Sequence, residues 1–371
     1  MNEKNLKLIF NQYIDRFDEL NDPNGGNEGY KWTAESCFVA NWNIDAVDFP
    51  AMFKAAMKET SNLIDNATIQ PIGGILLLLK QDKEVEFVRE CFRKLFAEDG
   101  GNIDARQERI CDFIEKINDR IDHYAKGSWK YPQTMNSVIY YLCLRYPNKN
   151  YIFKATEATN WANCIEYGDD FGSGQSFSLA KYYKMCDELL EAVLENDDIM
   201  KLHRERFAKY ANGFDDEYHI LVYDIIYCAQ TYHFYTDGMI YTTSTKERIS
   251  RANARAELDS IENRIREIKD EISKLDIDAT QPIDMVGMTV THKTFGNGVI
   301  VSQTGDIQTI SFAAGEKRFQ RSVAYTGGFL KATVAVMQKI FDANLAAKEA
   351  KGLREELKSL EDRFNGIGRT L

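Results

Sequence analysis

The sequence has no apolar run long enough to cross a bilayer. Its longest, PIGGILLLLK at residues 71–80, is about half of the roughly 20 residues that a membrane helix needs, and it reads as a buried helix or strand. The opening MNEKNLKLIFNQYIDRF lacks the long apolar stretch and small-residue cleavage site of a secretory signal. Cysteines stand singly at 37, 91, 111, 143, 164, 186 and 228. Without a CxxC pair they suggest neither a disulfide framework nor a zinc site. A reduced, cytoplasmic protein with no membrane partner is the expectation.

Catalytic signatures are missing as well. The histidines, His123, His203, His219, His233 and His292, never stand in an HxH or HExxH spacing, so no metal centre is expected. There is no G-x-x-x-x-G-K-[ST] loop to cradle phosphates, no G-x-S-x-G elbow to present a serine, and no PD…(D/E)xK arrangement. YGDDFGSGQS (167–176) sets Asp169 beside Asp170, but an adjacent pair among glycines and serines suits a tight turn. DDEYH (215–219) suits a helix N-terminus, where acids meet the positive end of the dipole. No catalytic residue and no cofactor is therefore predicted. A divergent nuclease or hydrolase would require three or more acidic side chains converging in a cleft.

Charge is unevenly spread. Residues 246–371 hold 20 Lys and Arg against 18 Asp and Glu; the chain's totals of 46 and 57 leave 26 against 39 for residues 1–245. Bulk electrostatics would therefore bring a nucleic acid to the C-terminal third.

Residues 1–235 read as an α-helical domain. Leu6, Ile9, Phe10, Tyr13, Phe17 and Leu20 recur at three and four, one face of an amphipathic helix. A Gly/Asn/Pro loop follows, and helical patterns return at 46–65, 82–98, 103–125, 132–146, 176–195 and 214–235. Residues 236–245 read as a linker. From 246 to 281, Ala254, Leu258, Ile261, Ile265, Ile268, Ile272 and Leu275 alternate steps of four and three, a heptad seam, which Pro282 would end. A second helix, 329–366, places Ala346, Ala350, Leu353, Leu357, Leu360 and Phe364 in the same rhythm. Two such helices around a compact insert predict an antiparallel coiled-coil hairpin with the insert at its tip; a homodimer through 246–281 is the rival.

The insert, 284–328, is strand-like. MTVTHK, GVIVSQ and IQTISF alternate polar and apolar residues, KRFQ offers a fourth strand, and Gly296 and Gly298 frame a tight turn. The fold class predicted is mostly α, with a small SH3-like or Tudor-like β-barrel.

Two resemblances add to this reading. VTHKTFGNGVIV, followed by ISF, GEKRF and GGFL, resembles the small barrels of bacterial helicase C-terminal regions and of CarD-type RNA-polymerase-interacting proteins, some of which bind DNA and others protein. It implies a contact edge at the ends of the first and fourth strands, holding His292, Lys293, Phe295, Lys317, Arg318 and Arg321. There Lys and Arg would neutralise phosphates, and Phe295 would stack or wedge. NEGYKWTAESCFVANWNIDAVDF, with RYPNKNYIFKATEATNWA and DEYHILVYDIIY, is similar to the region ahead of the AAA+ motor in McrB-type restriction proteins, although no motor follows here. That similarity implies target recognition in prokaryotic defence. Tyr30, Lys31, Trp32 and Trp42 are secondary candidates for stacking on a base or sugar, or for anchoring helix packing. Asn150, Tyr151 and Lys154 suit a helix-start anchor better than a ligand site. The expected partner is a nucleic acid, DNA before RNA, or a protein that handles one. The alternative is a scaffold binding only protein through the coiled coil and barrel.

Overall fold

A computed structural model describes residues 1–371 except 65–68, 126–130, 208–216, 236–237, 281–282 and 370. Asp215, Asp216, the start of the helix expected at 214, the first two linker residues and Pro282 thus lie outside the described residues. The chain is 66% helical, with a small curled antiparallel sheet of five strands towards its C-terminus. It forms two units, Met1–Ala252 and Asn253–Leu371. No described helix is long and apolar enough to cross a membrane.

The first unit runs α1 (Glu3–Asp15), α2 (Phe17–Asn21), α3 (Tyr30–Asn41), α4 (Phe49–Ala56), α5 (Ser61–Ile64), α6 (Pro71–Leu79), α7 (Asp82–Leu95), α8 (Ile103–Tyr124), α9 (Met135–Arg145), α10 (Ala155–Cys164), α11 (Leu179–Leu194), α12 (Asp197–Phe207) and α13 (His219–Thr231). Short polar side chains start these helices by occupying backbone donors that the first turn leaves open. Asn2 accepts from the Asn5 amide, Asp48 from Ala51 and Asn102 from Ala105, while Thr134 and Ser137 form a capping box. Each helix then buries a stripe; in α8 it is Ile110, Phe113, Ile117 and Ile121. The stretch 71–80, ambiguous between helix and strand, is α6. The loop at 167–176 is a turn: Asp170 accepts from the Gly172 amide and Lys181 pairs with Asp169.

The unit boundary falls inside α14 (Thr245–Thr280). The second unit continues with β1 (Thr289–His292), β2 (Gly296–Thr304), β3 (Ile307–Phe312), β4 (Gly315–Gln320), α15 (Arg321–Thr326), β5 (Leu330–Lys331) and α16 (Val334–Gly368). All seven heptad positions of α14 are buried or half-buried, as are those of α16 from Ala346 to Phe364. Ion pairs link the two helices: Glu257 with Arg363, Arg264 with Glu356, Lys269 with Glu361 and Asp276 with Arg354.

Strand order is β4-β3-β2-β1-β5, antiparallel throughout. The β2–β3 register slips between Ile300 and Ser302, a bulge of the kind that bends a strand and increases its twist. The curl is measurable in the rings: His292 of β1 and Phe319 of β4, separated by two strands in the ladder, have centroids 5.2 Å apart. Met285, Val290, Ile300, Ile310, Phe312, Tyr325 and Leu330 fill the interior. The one buried amide there, Gln308, donates to Gln303 and accepts from the Tyr325 hydroxyl.

The structure divides the work of the two glycines read as one turn. Gly296 has φ +73°, a turn conformation that favours glycine. Gly298 is inside β2, paired with Val290 and Phe312, and a Cβ there would lie 2.5 Å from the Phe312 ring and 2.8 Å from Ile310. Gly298→Val is expected to destabilise the second unit by about 1–3 kcal/mol through overpacking. An unchanged thermal midpoint in this variant would refute that assignment. Two boundaries also differ from expectation. Leu330 and Lys331 pair with β1 as a fifth strand, so the last helix starts at Val334 and not near Phe329.

Candidate nucleic-acid interface and a cleft in the helical unit

The curl brings part of the expected contact edge together. His292 Nδ1 accepts the backbone amides of Thr294 and Phe295 at 3.0 and 3.2 Å, which leaves the ring proton on Nε2 and fixes the β1–β2 loop. The His292 ring stacks on Phe295 at 4.6 Å, and Lys317 Nζ lies 5.7 Å from the Phe295 ring centroid. Phe295 also packs on Phe312, 5.6 Å away. Lined by His292, Lys317 and the core, this half-buried ring is built into the fold and poorly placed to wedge between bases.

The cations at this edge differ in what holds them. Arg318 alternates with Lys317 along β4 and stands on the other face of the strand. Arg321 opens α15, reaches Asp306 at 3.7 Å and is largely buried. Burial would raise the pKa of Asp306, but hydrogen bonds from Ser322 and the charge of Arg321 hold it below the usual carboxylate value. Arg321 thus serves the sheet. Lys293, Lys317 and Arg318 are exposed, and among the described residues none has a carboxylate partner within ion-pair distance. Lys331 joins them, exposed opposite Thr291 on β5. Sequence reasoning missed it because a two-residue strand carries no alternation to detect.

The secondary candidates occupy the first unit. Lys31 and Trp32 are fully buried, so neither can meet a macromolecule from the surface. Trp42 is half-buried among Phe38, Phe49, Phe53, Phe92 and Phe96, with centroids 4.8–6.3 Å apart, and anchors the α3–α4–α7 packing. Tyr30 lines an open cleft of about 700 Å³, with Glu19, Asn62, Glu28, Tyr227 and Tyr232. Asn150 is buried and accepts from Arg106 and Tyr183; Tyr151 is buried, and Lys154 stands at the N-cap position of α10 with no side-chain capping bond.

A buried ion network lies behind that cleft. Asp224, on α13, accepts from Lys31 Nζ at 2.8 Å, from Arg206 Nη1 at 2.8 Å and from the Tyr13 hydroxyl at 2.6 Å. Glu28 accepts from Lys31 and from the Tyr232 hydroxyl. Gly26 permits the latter bond, because a Cβ there would lie 2.5 Å from the Tyr232 oxygen. Arg206 stacks 4.1 Å above the Trp32 ring and donates towards His203 Nδ1 at 3.2 Å. Burial pushes the Asp224 pKa up, yet Lys31 and Arg206 overcome it and bring it to about 2. Burial opposes the charge on Lys31 too, and Asp224 outweighs it, so its pKa is raised. Burial, and the nearby Asp224 charge against the pull of Lys31, raise that of Glu28.

Glu28, Asp224 and Cys228 present donor atoms within 4.8 Å of one another, a spacing a metal could use. The ammonium of Lys31 already bridges both carboxylates, so a divalent ion would have to displace a bonded cation. Two carboxylates and two cations balance, and the set does not supply the three converging acids that a hydrolytic centre would need. No known family model, curated protein or solved structure matches this chain.

Proposed function

We propose that the curled sheet is a nucleic-acid contact, carried on an antiparallel coiled-coil arm formed by α14 and α16. The observation that carries the reading is the division of charge within the second unit. Four helix cations, Arg264, Lys269, Arg354 and Arg363, pair across α14 and α16, whereas on the small sheet Lys293, Lys317, Arg318 and Lys331 have no acidic partner among the described residues. Unpaired exposed cations at the rim of a small barrel suit phosphates, whose neutralisation releases counterions. With Phe295 packed, the contact is to the backbone more than to unstacked bases, which favours duplex DNA. The outer pairs, Glu257 with Arg363 and Asp276 with Arg354, run in opposite directions along α14 and α16, with Lys269–Glu361 one turn out of step, and this supports an intrachain hairpin over a homodimer through 246–281. The defence setting rests on the McrB-like residues of the first unit.

Anisotropy with labelled duplex DNA, single strands and RNA, read across a salt series, tests the proposal on the full chain. Four phosphate contacts give a slope of about −3.6 in log K against log salt, and Lys317→Glu/Arg318→Glu is expected to flatten it by about 2. Absence of binding at low salt would end the nucleic-acid reading. The scaffold reading would then gain, and one feature already favours it: Val299, Val301, Val334, Phe341 and Leu345 are apolar and exposed in the second unit.

A further inference from the structure

We infer that the cleft of the helical unit is a binding site for an organic cation, an amine or quaternary ammonium group held by tyrosine rings and carboxylates. The site is separate from the sheet and does not depend on the nucleic-acid reading. Its volume of about 700 Å³ falls within the range of small-molecule pockets. Three of its walls are tyrosines, Tyr30, Tyr227 and Tyr232, and among the described residues its only charged lining residues are Glu19 and Glu28. Among the described residues no lysine or arginine lines it, and the neighbouring cations Arg16 and Lys31 are already bonded to Glu19 and Glu28. Residues 1–245, with 26 basic against 39 acidic side chains, add a negative field that attracts cations on approach.

The protein already shows that this environment stabilises an ammonium. Lys31 Nζ lies 4.8 Å from the Tyr30 centroid and 4.4 Å from that of Tyr227, while bonded to Glu28 and Asp224. Electron-rich ring faces attract cations within about 6 Å, most strongly when water is excluded, which is how aromatic cages hold choline and methylated lysine. The same rings and the same glutamate border the cleft. Glu28 is fixed in place by Lys31 and the Tyr232 hydroxyl, yet a carboxylate has about four acceptor positions, so capacity remains for a ligand. Arg16 holds Glu19 at the rim through two 3.0 Å hydrogen bonds and ties Tyr232 down through its carbonyl at 2.8 Å. A preorganised wall of this kind lowers the ordering cost of binding.

Titration calorimetry on the full chain, with choline and its uncharged isostere 3,3-dimethylbutan-1-ol, separates cation recognition from apolar filling. Choline is expected to bind at least about tenfold tighter, an effect in the range of a desolvated cation–π contact. Tyr227→Leu should abolish that preference and Glu19→Gln should weaken it severalfold, with circular dichroism confirming the fold. Glu19 is exposed, so its variant keeps the test open even if Tyr227→Leu does not fold. Spermidine and a trimethyllysine peptide then identify the source: tighter spermidine binding indicates a free polyamine, tighter peptide binding a modified protein partner. Equal affinity for choline and the alcohol, no saturable binding, or choline affinity unchanged in both variants would overturn the inference.

Discussion

Asp224→Ala is expected to destabilise the helical unit by about 3–5 kcal/mol, because it strips the counter-charge from two buried cations at once. Lys31 and Arg206 are at 1% and 3% exposure, and both donate to this carboxylate, as does the Tyr13 hydroxyl. Removing it leaves Glu28 to balance Lys31 alone and leaves Arg206 with Asn21, His203 and the face of Trp32. Neither arrangement restores the lost charge balance, and burial keeps the orphaned groups from bulk solvent. Urea unfolding followed by circular dichroism measures the cost. Asp112→Ala, removing the partner of Lys116 on the surface, should leave the midpoint unchanged, as expected of an exposed pair. If the two variants behave alike, the network contributes no more than surface charge does. Asp224→Asn should fall between, since the amide keeps an oxygen to accept from Arg206 but cannot neutralise it.

Two helices that periodicity did not reveal, α3 and α12, carry the network's cations. In α3 the inner face holds Lys31 and Glu35 beside Trp32, Ala34 and Phe38; in α12 it includes His203 and Arg206. A search for apolar residues at three and four cannot find a stripe that buries charge. Where the stripe is apolar, as in α8, the reading and the structure agree to within a few residues, whereas the single helix expected from Leu6 to Leu20 breaks at Arg16 into α1 and α2. The sheet was legible for the same reason: β2 and β3 bury alternate residues, Gly298 and Ile300 in one and Gln308, Ile310 and Phe312 in the other. Its fifth strand was hidden because Leu330 and Lys331 are defined by pairing with β1 and not by any local pattern. The contact edge was legible as composition only. That Arg321 is tied to Asp306 while Lys293, Lys317 and Arg318 are not depends on chain reversal at residues 304–306, which places Asp306 under α15. The cleft was out of reach altogether, since its walls come from α2, α3, α5, α13 and the loops between them, and Tyr30 alone among them had been singled out.

Acid should loosen the helical unit well above the pH at which its carboxylates titrate, and buried histidine, His203 above all, is the reason. Its ring is 1% exposed, packed 5.5 Å from Trp32 and 5.6 Å from Tyr218. Arg206 can only donate, so the 3.2 Å contact makes His203 Nδ1 the acceptor and leaves the proton on Nε2. A second proton would have to enter on Nδ1, directly against a guanidinium. Burial first, then the charge of Arg206 and more weakly that of Arg204, lower its pKa to about 3 from 6.5, with Asp224 opposing them. An unfolded histidine takes up a proton below about pH 6.5 while the folded one stays neutral. The stabilisation is therefore complete above that value and declines as pH falls towards about 3. By pH 3.5 the loss reaches on the order of 4 kcal/mol. Asp224 adds to it only in the lower part of the window, because its pKa of about 2 is depressed from 3.8 and its contribution disappears only as pH falls below about 4. From pH 7.5 to 4.5 buried His219, whose pKa burial also lowers, contributes in the same direction, and Glu28, whose pKa burial raises, opposes it, so the difference between wild type and a His203 variant isolates His203. The wild type is expected to lose stability steadily across that range, whereas His203→Gln, which retains an acceptor for Arg206 without a titrating ring, is expected to start lower and decline less steeply. Parallel curves for the two proteins would show that His203 is protonated in the folded state and that the network tolerates a third buried cation.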